Sequence, residues 1–277
     1  MNDFSFIIQG PYNTAHLTMI HDLKKEGKVI LSCYVSDYNK VTNPEQYDFI
    51  IFNEQVDVEK KNIYNLHNVY HQVRTTKNAL SIVDTEYAVK LRSDSYYSGI
   101  DSIIESIKNN PNKLSVSPNF INPDWPYHLS DHIMGSTSAN LKNTFFEAEN
   151  IILTKKFFYE GIDVQLCPEV LLFTSWLKAK GFKSGTFAFE FYIKGDPQTD
   201  VRMKYTNGEI KVWVYKDYCS TIRDNINILD ISKMEPFFVN SNTQNKCFNK
   251  AIDFPIRDME TYISEIHKRY SSFELDP

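Results

Sequence analysis

Between residues 4 and 120, short unbroken apolar runs alternate with stretches of helical periodicity, and this alternation restricts the fold more than any other feature of the chain. "FSFIIQG" (4–10) is an apolar run stopped by Gly-Pro. Leu17, Ile20 and Leu23 then share one face of a helix over residues 14–25, closed by Gly27. "KVILSCYVSD" (28–37) and "YDFIIFNEQ" (47–55) read as strands, and Val73, Leu80 and Val83 mark a helix through "HQVRTTKNALSIV" (71–83). A strand in "EYAVKLR" (86–92), a helix over "GIDSIIESIKNN" (99–110) and a strand in "KLSVSPNF" (113–120) complete a β-α-β-β-α-β-α-β order. Strands apolar along their whole length need cover on both faces. The expected fold is therefore α/β, with a Rossmann-type mixed and largely parallel sheet flanked by helices.

Beyond residue 120 the pattern loosens. A strand over 132–136 leads into a helix, and "CPEVLLFTSWLKAKGF" (167–182) is a helix with Pro168 in its first turn and Gly181 at its end. Aromatic-rich strands are expected in "TFAFEFYI" and "EIKVWVY", then a final amphipathic helix in "DMETYISEIHKRY". Residues 1–185 form the expected catalytic unit, and residues 186–277 a smaller α+β extension packed on it.

In sheets of this kind ligands bind beyond the carboxyl ends of the strands. Two common phosphate cradles are missing: no GxGxxG follows the first strand, and no GxxxxGK[ST] occurs. A bound diphosphate must then be neutralised by side chains or a metal. The tip of the 86–92 strand offers both, because Lys90, Arg92, Ser93 and Asp94 crowd the point where strand becomes loop. Arg92 can pair with phosphate in bidentate fashion, and Asp94 can hold Mg²⁺ or Mn²⁺. The competing reading is an Arg–Asp ion pair that fixes a turn.

The pieces "FIIQGP", "VILSCYVSD", "HQVRTTKNALSIVDTEYAVKLRSDS", "LSDHIMGST" and "PEVLLFTSWLKAKG" occur in the order found in the WavE family of lipopolysaccharide-synthesis proteins, which this chain resembles over roughly residues 4–182. "KLRSD" and "SDHIMGS" are the most specific of them. The family tends to have Arg-Gln where this chain has His71-Gln72. The resemblance implies a GT-A-type glycosyltransferase that moves a sugar from a nucleotide-diphosphate donor to a glycan or lipid-linked glycan acceptor. It aligns Arg92 and Asp94 with the ends of the Asp-x-Asp motif of such enzymes, with Asp94 as the metal or diphosphate residue. Gln9, Gly10 and Pro11 would lie under the nucleotide, and Asp37 at the base or ribose, or as a helix cap. An inverting transfer needs a carboxylate to take the acceptor's proton. Glu169, at the start of a helix laid out as in many inverting GT-A enzymes, and Asp131 are the two candidates.

Other residues carry weaker signals. Arg74 and Lys77 could bind phosphate or simply form a solvated helix face. Tyr96, Tyr97, Trp125 and Tyr127 could stack on a sugar or base, or fill the core. His128 and His132 flank Asp131 but do not share a helix face, and Cys33, Cys167, Cys219 and Cys247 include no CxxC pair, so a zinc cage or redox dithiol is not expected. A net charge of −5 leaves no basic footprint for nucleic acid. The opening "MNDFSFIIQG" does not read as a signal peptide, and no apolar run approaches the ~20 residues a spanning helix needs. The expectation is a cytoplasmic protein with room for peripheral contact at the inner face of a membrane. Two alternatives stay open: a non-catalytic nucleotide- or glycan-binding protein of the same fold, and a sugar-nucleotidyltransferase, although "QGPYNTAH" lacks the glycine-rich, lysine-containing loop the latter requires.

Overall fold

The computed structural model describes residues 3–58, 63–64, 66–118, 121, 128–154, 164–165, 167–182, 218–230, 236–238 and 256–270. In chain order the described elements are β1 (Phe4–Gln9), α1 (Leu17–Glu26), β2 (Gly27–Tyr34), β3 (Phe49–Asn53), β4 (Ile63–Tyr64), α2 (Leu66–Ser81), β5 (Tyr87–Arg92), β6 (Ser95–Tyr97) and α3 (Ile100–Asn109). They continue with β7 (Leu114–Val116), β8 (Ile133–Thr137), α4 (Ser138–Thr154), β9 (Val164–Gln165), α5 (Pro168–Ala179), α6 (Tyr218–Asn225), β10 (Ile226–Ile228), β11 (Pro236–Phe238) and α7 (Met259–Tyr270). The strands "TFAFEFYI" and "EIKVWVY" expected from sequence lie outside the described residues.

Seven strands form the central sheet in the order β10-β7-β8-β5-β1-β2-β3. β1, β2, β3 and β5 run parallel, whereas β8 runs antiparallel to both β5 and β7. The sheet is mixed, α/β and Rossmann-like. β10 pairs parallel with β7, so a strand from the C-terminal part of the chain completes one edge. Two short ladders lie apart, β11 with β6 and β4 with β9.

Successive strand residues point to opposite faces, and each face has its own core. Phe6, Ile8, Val29, Leu31, Val89 and Leu91 pack with Ile20 and Leu23 of α1 and with the isoleucines of α3. Ile7, Ile30, Ala88 and Met134 pack on the other face against α2, α4 and α5, with Val73, Phe145 and Trp176 at the contact. Several boundaries differ from the sequence reading, among them β3 and β7, which are shorter than expected, and three that bear on the site. β2 stops at Tyr34, because residues 35–40 turn into a 3₁₀ helix held by Asp37. α2 begins at Leu66, a full turn before residue 71. β8 is shifted by one residue, to Ile133–Thr137. No helix among the described residues is long and apolar enough to cross a membrane.

Register brings the site together. Gln9 stands beside Ser32 on one side and Arg92 on the other. Ile133, the first residue of the antiparallel strand β8, stands beside Leu91. The carboxyl ends of β1, β2 and β5 and the amino end of β8 therefore meet at one edge of the sheet.

Candidate functional site

A cavity of about 390 Å³ opens at that edge, lined by Gln9, Gly10 and Pro11 after β1, Tyr34 after β2, Arg92, Ser93 and Asp94 after β5, Asp131 before β8, Asn68, Val69 and Gln72 of α2, and Pro168 and Glu169 of α5. Arg92 and Asp94 form a bidentate pair on its wall: Nε donates to Oδ1 at 2.9 Å and Nη2 to Oδ2 at 2.7 Å. Ser95 Oγ also lies 3.3 Å from Oδ1. Burial works against both charges, but the pairing outweighs it, raising the Arg92 pKa and lowering that of Asp94. The pair is not sealed, since the Arg92 side chain keeps 32% of its surface exposed.

A Mg²⁺ or Mn²⁺ ion fits this corner poorly. Both Asp94 oxygens already accept from the Arg92 guanidinium, and a fixed cation sits where a second would have to enter. The cation at this corner is the guanidinium itself, a group whose planar fork suits carboxylate and phosphate oxygens alike. Among the described residues, one group of three side chains has ligand atoms close enough to share a metal ion: His128, Cys167 and Glu169.

Beneath the cavity lies a buried lysine. Lys90 sits between Val89 and Leu91 and so points to the opposite face of the sheet, fully buried. Its Nζ donates to the backbone oxygen of Asp131 and lies 3.8 Å from the Asp131 carboxylate. Burial pushes the Lys90 ammonium down to about 8, with Asp131 opposing the fall. Burial pushes Asp131 upward, but Lys90, with His132 and Arg92 behind it, more than reverses this and holds the carboxyl well below its usual range. Gln72 Nε2 donates to Asp131 Oδ2. These partners favour the charged form of Asp131, a buried carboxylate on the cavity wall.

Glu169 differs. It occupies the first turn of α5, where the helix dipole favours a carboxylate, yet burial and the neighbouring Asp131 charge push it up to about 7. Cys167 Sγ donates to its Oε2 at 2.8 Å. Their surroundings therefore push two carboxyl groups in one cavity in opposite directions, Asp131 down and Glu169 up.

The turn after β1 depends on one glycine. Gly10 has φ +129°, and a Cβ there would stand 2.6 Å from Ser93 Oγ. Ser93 Oγ in turn donates to the Pro11 carbonyl at 2.7 Å, tying the ends of β1 and β5 together. Gly10→Ala is expected to lower the unfolding free energy by ~1–3 kcal/mol through backbone strain. A urea titration checks this, and an unchanged midpoint would mean that the loop relaxes freely.

Of the residues singled out in the sequence, Gln9, Gly10, Pro11, Arg92, Ser93, Asp94, Asp131 and Glu169 line the cavity, and Lys90 lies below it. Asp37 does not: its buried carboxylate accepts from the backbone N–H of Tyr12 at 2.9 Å and from Lys40 at 2.8 Å, pinning the loop after β2. Arg74 turns away and reaches the Glu54 carbonyl at 3.4 Å. Lys77 pairs with Glu149 and sits over the Phe146 ring. Tyr97 is buried, and Trp125 and Tyr127 lie outside the described residues. Sequence reasoning missed Tyr34, Asn68 and Val69, and noted Gln72 without giving it a role. The signal for the helix residues was present, since Asn68 and Gln72 stand four apart on one helix face, but starting α2 at residue 71 hid it.

No family model and no curated protein matches the chain. Among solved structures it is similar to a 4-diphosphocytidyl-2C-methyl-D-erythritol synthase from Anaerococcus prevotii DSM 20548, at 10% identity and a TM-score of 0.35 over 63% of this chain and 98% of that one. It is also similar to HddC from Yersinia pseudotuberculosis, at 12% identity and a TM-score of 0.32 over 50% of this chain and 78% of that one.

Proposed function

We propose that the protein is a glycosyltransferase that moves a sugar from a nucleotide-diphosphate donor to a hydroxyl of a glycan or lipid-linked glycan, with inversion at the anomeric carbon. The observation that carries this reading is the convergence, in one cavity at the carboxyl edge of the sheet, of an accessible guanidinium and two carboxyl groups with separated protonation behaviour. The sequence resemblance to WavE proteins supports it and points to surface polysaccharide as the acceptor class.

In this reading the diphosphate lies against Arg92, above the turn formed by Gln9, Gly10 and Pro11. The acceptor hydroxyl approaches the anomeric carbon from the side opposite the diphosphate. Glu169, unprotonated, takes the hydroxyl proton as the new C–O bond forms and the bond from carbon to the diphosphate oxygen breaks. The leaving diphosphate keeps the electron pair, and its charge is met by Arg92. Asp131 holds its negative charge throughout and stabilises the positive character that develops on the sugar ring.

A thermal-shift panel of nucleoside diphosphates and nucleotide sugars, with Mn²⁺ or with a chelator, tests the proposal. A uridine or guanosine diphosphate is expected to raise the melting temperature, by ~2–4 °C for each kcal/mol of binding linkage. The shift is expected to survive the chelator and to vanish in Arg92→Ala. A protein that responds to no nucleotide overturns the reading. Stabilisation without transfer or hydrolysis would instead identify a binding protein built on the same fold.

A further inference from the structure

The sequence shows no CxxC or other zinc-ligand spacing, yet folding gathers three ligands of mixed chemistry beside the cavity. Cys167 caps the amino end of α5, and Glu169 follows two residues later, so the Cys-Pro-Glu stretch places a thiol and a carboxylate 2.8 Å apart. His128 comes from a separate segment ahead of β8. One ligand atom from each of the three lies within 4.8 Å of the other two. Cys167 is buried, and His128 and Glu169 are partly buried.

We propose that His128, Cys167 and Glu169 form a binding site for a divalent transition-metal ion of the zinc class, distinct from the Arg92–Asp94 corner. A nitrogen, a sulfur and an oxygen donor suit zinc, whereas Mg²⁺ and Mn²⁺ prefer oxygen alone. Metal–ligand distances of ~2.0–2.3 Å put tetrahedral ligands roughly 3.3–3.8 Å apart, so the trio needs only side-chain adjustment to close on an ion. Three protein ligands leave a fourth position for water or another ligand, and Glu169 also lines the cavity. A second observation points the same way. Asp131, 2% exposed, faces the same cavity, and its Oδ1 has no hydrogen-bond partner among the described residues. A dication beside two carboxyl groups relieves their mutual repulsion. On binding, the Cys167 thiol gives up its proton to solvent and coordinates as thiolate.

The site itself stands apart from the glycosyltransferase reading, and one consequence rests on that reading. An occupied site holds the Glu169 carboxylate, so Zn²⁺ is expected to inhibit transfer. The two ideas fail separately, because nucleotide-induced thermal shifts are read in chelator and metal binding is read without nucleotide.

The test uses the full, untagged chain, stripped of metal and titrated with Co²⁺ and then Zn²⁺. Co²⁺ is expected to produce the visible ligand-field bands of a four-coordinate ion and a thiolate-to-cobalt charge-transfer band in the near ultraviolet, both removed by one equivalent of Zn²⁺. Cys167→Ser should remove the charge-transfer band, while Cys33→Ser, Cys219→Ser and Cys247→Ser keep it. His128→Ala should weaken Co²⁺ at least ~10-fold, the loss that even an outer-shell partner causes. Should Cys167→Ser fail to fold by circular dichroism, Glu169→Gln decides: the charge-transfer band persists and affinity falls. The proposal is overturned if the band never forms, if it survives in a folded Cys167→Ser, or if His128→Ala and Glu169→Gln bind Co²⁺ as tightly as the parent.

Discussion

Asp131→Asn is expected to lower the unfolding free energy by about 3–5 kcal/mol, the usual loss when one partner of a buried ion pair is removed. Lys90 is fully buried and Asp131 2% exposed, so neither charge has water to fall back on. Asparagine keeps the shape and can still accept from Gln72, so the change isolates the charge. Lys90 is then left alone in the sheet, and its ammonium pKa, already lowered to about 8 by burial, falls further. The sign of the pH dependence follows. The unfolded chain binds the Lys90 proton more tightly than the folded one, so the variant gains stability as pH rises from below the folded pKa toward the unfolded value near 10.4. In the parent, Asp131 acts in the opposite window: its stabilisation is present above the ordinary carboxylate range and is lost as acid protonates the folded state. Lys90→Met combined with Asp131→Asn should recover most of the loss, because no unpaired charge remains. Urea titrations between pH 6 and pH 9 measure the single variant's loss, its pH dependence and the double variant's recovery. A single variant as stable as the parent at neutral pH would show that the pair does not hold the β5–β8 edge.

On the proposed reading as a glycosyltransferase, Glu169→Gln is expected to reduce transfer by ~10²–10⁴-fold while leaving the nucleotide-induced thermal shift in place. Glutamine matches the shape but cannot accept a proton. The parent's rate should climb as pH passes about 7, where Glu169 becomes a carboxylate, and the variant's residual rate should not. Stability should move the other way. A carboxyl whose folded pKa is raised costs stability progressively as pH rises from its unfolded value to its folded one, so Glu169→Gln should be the more stable protein above pH 7, by roughly 1–3 kcal/mol. Activity lost together with stability would mean a damaged fold, whereas activity lost with stability gained marks a group held in a costly state for its chemistry. A variant that transfers sugar at the parent's rate assigns the proton to another group, with Asp131 next in line.

The two strand ends that form the floor of the cavity were legible in the sequence because their signals are local. An apolar run stopped by Gly-Pro ends β1 at Gln9, and the charges after Leu91 mark the exit of β5. Asp37 shows the limit of such reading. A carboxylate just after a strand serves a ligand and a loop equally well, and only the Tyr12 N–H, twenty-five residues away, decides for the loop. Lys90 is a similar case. Its place in the strand was clear, but strand alternation alone cannot say whether a lysine reaches solvent or a buried partner, and that partner is forty-one residues on.

From the residues alone came the alternation of strands and helices, the helix cap and stop around α5, the missing glycine cradles and the charged strand tip, all consequences of periodicity and turn chemistry over a few neighbouring positions. The tertiary structure decided the rest. The antiparallel course of β8 carries Asp131 to the edge where β1 and β5 end, and α5 brings Glu169 into the same cavity. Cys167 and His128, which looked inert when spaced along the chain, meet only because both segments fold against that edge. Contacts between residues far apart in sequence depend on strand order and register, which buried side chains choose collectively and no local pattern records.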